Sequence, residues 1–136
     1  MMILYKNGLD FPYEGFIQHA IEAHFDMGGF IMEHLPHTDY AGVHTETGER
    51  WRIEAKGLTS AVGLDFRTGL GQLIQRMDEP EARYGIAIPN IPAYLKQVNQ
   101  IKPWVREKFG LFILIVSEDG EVQYVYPNQP IYMEEC

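Results

Sequence analysis

The stretch "RWRIEAKG", residues 50–57, alternates apolar and polar side chains and contains a glutamate and a lysine two positions apart. In a β-strand successive side chains point to opposite faces, so Trp51 and Ile53 would share one face. Glu54 and Lys56 would share the other. Burying a carboxylate and an ammonium is unfavourable unless each has a partner. The strand therefore predicts either a solvated polar face or a site that uses both charges.

A hairpin is predicted to join this strand to the one before it. Residues 38–45, "TDYAGVHT", form the preceding strand, and Gly48 in the connection tolerates a positive φ. With a two-residue turn that ends at Gly48, Asp39 pairs with Lys56, and directly paired residues share a face. Asp39 is therefore expected on the same face as Glu54 and Lys56, provided that no bulge shifts the register.

Further helices and strands are predicted on both sides of the hairpin. A helical period of apolar residues runs from 10 to 27, with Asp10 as the N-cap and Gly28-Gly29 as the stop. The run "RYGIAIP", 83–89, is mostly apolar and predicts a strand buried on both faces. The other predicted elements are strands at 2–6, 30–35, 111–117 and 121–127, and helices at 65–77 and 91–109, the latter interrupted near Pro103.

The order of these elements is helix, three-strand meander, helix, strand, helix and hairpin. This order predicts a mixed α/β fold of the α+β type, in which helices cover a mixed sheet with a meander and one parallel crossover. A chain of 136 residues is long enough for one hydrophobic core, so residues 1–136 are expected to form a single domain.

The composition predicts a cytoplasmic protein with no membrane segment. No apolar run reaches the roughly 18 residues that a membrane-spanning helix needs. The N-terminal segment lacks the basic and apolar regions of a signal peptide. Its one cysteine, Cys136, excludes a disulfide framework and a thiolate metal cluster.

The net charge of −8 is unevenly distributed and argues against binding of nucleic acid by charge alone. Residues 1–49 contain eight acidic side chains and one basic side chain, and residues 109–136 contain five acidic and no basic ones. Residues 50–108 contain ten basic and six acidic side chains, a local balance of +4. Affinity for a polyanion should therefore come from the middle of the chain.

Asp39, Glu54 and Lys56 would place two carboxylates beside one ammonium. Two carboxylates, a nearby backbone carbonyl and waters form a hard-oxygen site suited to Mg²⁺ or Mn²⁺. Such a cation can activate a water and neutralise charge on a phosphodiester. The lysine can position or deprotonate that water. The cation would also relieve the repulsion between the carboxylates.

The spacing of these residues resembles a known motif. Asp39, followed 15 residues later by Glu54-x-Lys56 across a hairpin, resembles the PD-(D/E)XK nuclease superfamily, which has a restriction endonuclease-like core. The stretch "GLGQLIQRM" after the lysine is similar to a glutamine-containing helix that follows the lysine in several branches. The resemblance covers about residues 10–90, with 91–127 as an extension of the core.

The resemblance implies a metal-dependent endonuclease that hydrolyses DNA phosphodiester bonds. The implied metal ligands for Mg²⁺ or Mn²⁺ are Asp39, Glu54 and the carbonyl of Ala55. The implied catalytic residues are Asp39, Glu54, Lys56 and Gln72, the last lining the site from near the start of its helix. Many relatives act as dimers, so a homodimer is compatible with this interpretation, as is a protein partner that delivers the DNA.

The chain departs from the motif in two places. The "PD" of the superfamily is here Thr38-Asp39. The acidic residue that many members have on the first helix has no certain counterpart, because Glu14, Gln18 and Glu22 all fall in that region. Arg67 and Arg76, on the predicted helix after the lysine, could contact phosphate or simply lie in solvent.

Two alternatives stay open at the level of sequence. Histidines lie near the motif and on the first helix, at His19, His24, His34 and His37, which would suit a histidine-rich metal site, although their spacing matches no known two-ligand motif. The second alternative is functional: a non-catalytic, nuclease-like domain that serves as a subunit or protein-interaction module. The acidic ends of the chain favour it mildly.

The tyrosines near the C-terminus could stack on bases or cover the core; they are Tyr124, Tyr126 and Tyr132.

Overall fold

The computed structural model describes residues 8–131, so the predicted strand at 2–6 lies outside the described residues. Within them the chain forms four helices and six strands. In chain order the elements are α1 (Glu14–Met27), β1 (Phe30–Glu33), β2 (Tyr40–His44), β3 (Arg50–Ala55), α2 (Val62–Gln75), β4 (Arg83–Pro89), α3 (Pro92–Asn99), α4 (Pro103–Phe109), β5 (Leu111–Val116) and β6 (Val122–Val125).

The six strands form one mixed sheet in the order β1-β2-β3-β4-β5-β6. The first three strands are an antiparallel meander, β4 runs parallel to both β3 and β5, and β6 closes the sheet as an antiparallel hairpin. The predicted fold class, a mixed α/β arrangement consistent with a restriction endonuclease-like core, is confirmed. The sheet contains two parallel crossovers rather than the one predicted, because β5 pairs with β4 as well as with β6.

Helices cover both faces of the sheet. On one face α1 buries Ile17, Ile21 and Phe25 against Trp51 and Ile53 of β3. Each fully buried side chain of this size stabilises the fold by about 1.5–3 kcal/mol. The two crossovers add strands in the same direction, so right-handed connections place α2 and α3 together on the opposite face.

The strand β4 is central, as its apolar sequence predicts. It spans Arg83–Pro89, the predicted range, and every residue after Arg83 is buried. Ile86 and Ile88 face the helices α2 and α3, whereas Ala87 faces α1. A strand with neighbours on both edges and helices on both faces needs apolar side chains in both directions, which explains the lack of polar alternation.

The first helix begins later than predicted. Helix α1 begins at Glu14 with Tyr13 as its N-cap, because Asp10 instead accepts a backbone hydrogen bond from Tyr13 (2.8 Å) in a preceding turn. The predicted interruption of the helix at 91–109 near Pro103 is confirmed, because Pro103 has no N–H to continue α3 and begins α4.

Candidate functional site

The hairpin β2–β3 brings Asp39 next to Glu54. The register pairs Tyr40 with Ile53, so Asp39, one residue before β2, lies opposite Glu54 rather than opposite Lys56 as predicted. The predicted register is wrong by two residues, because the turn holds four residues, 45–48, and the N–H of His44 bonds to the carbonyl of Glu49 (2.8 Å). A shift of two preserves the side-chain alternation, so Asp39 and Glu54 stay on one face.

Asp39 continues the β2–β3 ladder with its side chain. Its Oδ2 accepts a hydrogen bond from the backbone N–H of Ala55 at 2.8 Å. On the other edge of β3, the N–H of Lys56 donates to the carbonyl of Ala87 (2.9 Å). The N–H and C=O of one peptide unit point in opposite directions, so the Ala55 carbonyl points away from β4 and towards Asp39. Two oxygen ligands of the predicted site therefore lie on the same edge of β3.

Glu54 supplies the second carboxylate and is almost fully buried, at 8% exposure. Burial raises its pKa to about 7, and the charge of Asp39 together with a hydrogen bond between the two carboxyl groups adds to the rise. Lys56 and Arg76 oppose this shift in the pKa, with Nζ and Nη1 at 3.6 and 3.9 Å from the Glu54 carboxylate oxygens. A divalent cation bound between the two carboxyl groups would favour the ionised form of Glu54.

Lys56 extends along the helix α2. A Cβ built on Gly69 would lie 2.3 Å from Cε of Lys56, so the lysine occupies the space that a side chain at position 69 would need. The lysine is mostly buried, with 16% of its side chain exposed, and its ammonium lies beside Glu54. The first glycine of the "GLGQ" stretch is thus explained by close packing against the predicted catalytic lysine.

The chain immediately after Lys56 is held in place by α1 and α3. The hydroxyl of Tyr94, itself buried, donates to the carbonyl of Gly57 at 2.6 Å. A Cβ at Gly57 would lie 2.0 Å from the backbone nitrogen of Glu14. Only glycine fits at this contact, which anchors the end of β3 and with it the position of Lys56.

The first helix reaches the site through Gln18. Its Nε2 donates to the backbone carbonyl of Asp39 (3.2 Å) and to a carboxylate oxygen of Glu22 (3.4 Å). Among Glu14, Gln18 and Glu22, the glutamine therefore contacts the Asp39 backbone, and Glu22 is linked to the site through it.

Gln72 lies in the last turn of α2, not near its start as predicted. The helix begins at Val62, three residues before the predicted start, so position 72 is near the C-terminal end. Gln72 is three residues after Gly69 and four before Arg76, which places all three on one helical face. Gly69 and Arg76 both contact the carboxylate–lysine cluster, and the role of Gln72 in lining the site stays a prediction.

Two solved structures have a fold similar to this one. An XisH family protein from Nostoc punctiforme aligns with a TM-score of 0.56 and 21% identity, over 80% of this chain and 98% of that chain. An FdxN element excision controlling factor protein from Anabaena variabilis aligns with a TM-score of 0.54 and 20% identity, over 79% of this chain and 96% of that chain. At these identities the similarity shows a shared fold. No family model and no curated protein match the sequence.

Arg76 is the residue of the site to which the sequence assigned no definite role. Its Nη1 donates to the backbone carbonyl of His37 at 2.5 Å and lies near Glu54. Arg76 follows directly after α2, so it joins the end of that helix to the loop before Asp39. The signal available in the sequence was its position seven residues after Gly69, on the same helical face.

Two histidines, His24 and His44, make hydrogen bonds that hold the fold together. Residues 8–131 contain no group of three or more histidine, cysteine or acidic side chains placed to hold a metal ion. His24 bonds to the hydroxyl of Tyr124 at 2.5 Å in the core next to α1. His44 accepts the N–H groups of Glu46 and Thr47 and closes the hairpin turn. Tyr124 therefore covers the core.

No helix in the described part of the chain is long and apolar enough to cross a membrane.

Proposed function

We propose that this chain is a metal-dependent nuclease of the PD-(D/E)XK superfamily that hydrolyses DNA phosphodiester bonds. The observation that supports it best is the convergence at the end of β3 of the Asp39 carboxylate, the Glu54 carboxylate and the Ala55 carbonyl, with Lys56 3.6 Å from Glu54. Within the described residues, no histidine or cysteine side chain lies with these two carboxylates as a further metal ligand.

The donor set fits Mg²⁺ or Mn²⁺. All three protein ligands are oxygens, and Mg²⁺ is commonly held by one or two carboxylates while keeping several waters or substrate oxygens. When bound, the cation would supply Lewis-acid stabilisation of charge on the phosphodiester. Because a bound cation favours the ionised form of Glu54, it would displace the proton that burial keeps on this carboxyl group.

The residues around the ligands have separate tasks in this proposal. Lys56 holds a water by hydrogen bonding and stabilises negative charge that develops on the phosphate. Gly69 leaves room for that lysine, and Gln72 lines the site one turn further along α2. Gln18 fixes the backbone at Asp39 from the side of α1.

The comparisons are compatible with a role in DNA rearrangement. One similar structure is an XisH family protein, and the other is named as an FdxN element excision controlling factor protein. The net charge of −8 leaves this chain without a general attraction for DNA. We therefore include in the proposal a second copy of the chain or a protein partner that contributes to DNA contact. The proposed nuclease is a single domain of residues 1–136 that acts in the cytoplasm.

A second function is supported by a specific observation. The name of the Anabaena variabilis protein describes a controlling factor, which is compatible with a non-catalytic subunit. In that case Glu54 and Lys56 would be a structural ion pair, and divalent metal would not bind at the site. Metal binding separates the two functions directly.

The first prediction compares two variants of the site with one control variant. Glu54→Ala should abolish Mn²⁺ binding and DNA cleavage, because it removes one of two carboxylate ligands. Lys56→Ala should keep Mn²⁺ binding and lose about 10²- to 10⁴-fold in cleavage rate, the usual contribution of a positioned acid–base group. Glu46→Ala, which removes an exposed carboxylate at the other end of the hairpin, is the control and should change neither.

The measurements are isothermal calorimetry with Mn²⁺ and gel assays on duplex, single-stranded and branched DNA. If the wild-type chain binds no Mn²⁺ at about millimolar concentration, where weak sites of this kind saturate, and cuts none of these DNAs, the non-catalytic function is the correct one. Retained Mn²⁺ binding in Glu54→Ala would show that the ligands are elsewhere.

A further inference from the structure

A cleft next to Glu54 is left unused by the chemistry described above. It has a volume of about 310 Å³ and is bordered by the loop 35–38, by β3 and by the C-terminal end of α2. Glu54 lines both this flanking cleft and the carboxylate–lysine cluster. A group bound in the flanking cleft would therefore lie directly beside the reacting phosphate.

The size of the flanking cleft is that of one nucleotide. Sites for small ligands typically have volumes of about 300–1,000 Å³, and this cleft is at the lower end. A base pair is too large for it. A base that enters must therefore be unpaired, or must leave its stack at a cost of a few kcal/mol.

The lining of the flanking cleft combines apolar surfaces with one available cation. Leu35, Pro36 and Tyr84 offer apolar contact for a base. Arg52 lies in the same wall, but its two terminal nitrogens bond to Asp78 (2.5 Å) and Glu79 (2.7 Å), two carboxylates that more than offset its single positive charge. Arg52 is therefore committed to holding the wall together.

Arg76 is the cation that can bind a phosphate. Its side chain is 37% exposed, and the described contacts engage Nη1, with the carbonyl of His37 and the Glu54 carboxylate. A guanidinium has five N–H donors, so donors on the other nitrogens can reach a phosphate oxygen. If Glu54 binds a metal ion, that ion offsets the negative charge of Glu54. The positive charge of Arg76 is then available for the phosphate of the substrate.

We infer that the flanking cleft binds one unpaired nucleotide next to the scissile phosphate, with Arg76 on the phosphate of that nucleotide. The substrate is then DNA with an unpaired nucleotide at the cut site, such as a mismatch, flap or branch, rather than an intact duplex. This inference rests on the proposed nuclease function and specifies its substrate class.

The test compares two substrates and three variants. The substrates are one duplex and the same duplex with a single unpaired nucleotide at its centre, with Mn²⁺ present and the DNA well below saturation. The wild-type chain should cut the second at least about tenfold faster, the ratio expected when unpairing costs more than about 1.4 kcal/mol. Arg76→Ala should lower that rate about 10- to 100-fold, and Arg76→Lys should restore part of it. Arg67→Ala, an exposed arginine on the same helix, is the matched control and should change little.

Two further readouts exclude a merely structural effect of Arg76. Mn²⁺ affinity measured by calorimetry should hold or tighten in Arg76→Ala, because a cation near the metal ligands has been removed. The slope of log affinity against log salt should fall by about 1, as expected for the loss of one phosphate contact.

The outcomes keep this inference distinct from the proposed function. Metal-dependent cleavage with no preference for the unpaired substrate, or an Arg76→Ala rate equal to that of Arg67→Ala, would overturn the inference and leave the nuclease function in place. Absence of both Mn²⁺ binding and cleavage in the wild-type chain would overturn both.

Discussion

At the scale of single residues, the site depends on a carboxylate that the fold makes difficult to ionise. Glu54 is buried beside Asp39, and its two cationic neighbours do not fully compensate for the loss of hydration. A structural ion pair is normally arranged to lower the pKa of its carboxyl group. The pKa of Glu54 is instead raised, chiefly by burial, and this shift predicts how stability depends on pH.

Glu54→Gln should stabilise the metal-free protein at alkaline pH. The pKa of Glu54 is higher in the folded state than in the unfolded chain, so the folded state binds the extra proton between the two pKa values. Its contribution to stability is present below the unfolded pKa and is lost as pH rises through about 7. Replacement by neutral glutamine removes that loss, and the gain at about pH 8 has an upper limit of about 3 kcal/mol.

Urea unfolding in the presence of a chelator, at about pH 5 and about pH 8, measures this effect as the difference between variant and wild type. The difference should be much smaller at the lower pH. Glu46→Gln, at an exposed position in the hairpin turn, serves as the control and should show no change between the two conditions. Equal stability of Glu54→Gln and wild type at both pH values would show that Glu54 is not strained in the fold.

At the scale of elements, α2 contains glycines that lower its own stability, and one of them leaves room for a side chain of the site. Each glycine inside a helix costs about 0.5–1 kcal/mol relative to alanine. Of the two glycines near its middle, Gly69 is buried against Lys56, whereas a Cβ at Gly71 would meet nothing within 4 Å. Alanine substitutions at these two positions therefore measure separately the effect of helix propensity and the effect of packing at the site.

Gly69→Ala should impair cleavage without unfolding the protein. The new Cβ would overlap Cε of Lys56, and since this is the far end of a flexible side chain, the lysine moves and the helix stays. We expect at least a tenfold loss in cleavage rate, with a stability within about 1 kcal/mol of wild type. Thermal unfolding and the gel assay measure the two effects.

Gly71→Ala provides the comparison in the same helix. It should raise stability by about 0.5–1 kcal/mol and leave the cleavage rate unchanged, because the added methyl group lies in open space. An equal loss of activity in both variants would indicate that activity depends on flexibility of α2 rather than on space for the lysine.

At the scale of the whole molecule, one continuous sheet separates two hydrophobic cores. Trp51 and Leu114 belong to the core under α1, and Ile86 and Ile113 belong to the core under α2 and α3. Both cores share strands, since β4 and β5 direct alternate side chains into each, whereas β3 contributes only to the core under α1. Neither core can form without the sheet, so the two are expected to fold together.

The chain should therefore unfold in one cooperative transition, as a single domain. The variant Trp104→Phe leaves Trp51, which is buried under α1, as its one tryptophan, because the sequence contains two. Its fluorescence then reports one core, while far-ultraviolet circular dichroism reports all helices. The two urea curves should have the same midpoint. Separate midpoints would show that the two sides of the sheet unfold independently.

Local patterns in the sequence were sufficient for the element order, the central position of β4 and the shared face of Asp39 and Glu54. Alternation and apolar runs reflect the environment of each strand directly, and a register error of two residues leaves side-chain faces unchanged. A turn of four residues, 45–48, in place of the predicted two alters which residues pair, because turn length depends on how the strand ends bond to each other.

Only the tertiary structure decided which distant residues complete the site. Gln18 reaches Asp39 across 21 positions and Arg76 reaches the carbonyl of His37 across 39, and neither separation leaves a periodic trace in the sequence. The second parallel crossover and the raised pKa of Glu54 arise in the same way, from packing of whole elements against one another. Side-chain period depends on the local backbone, whereas burial and charge proximity depend on the fold as a whole.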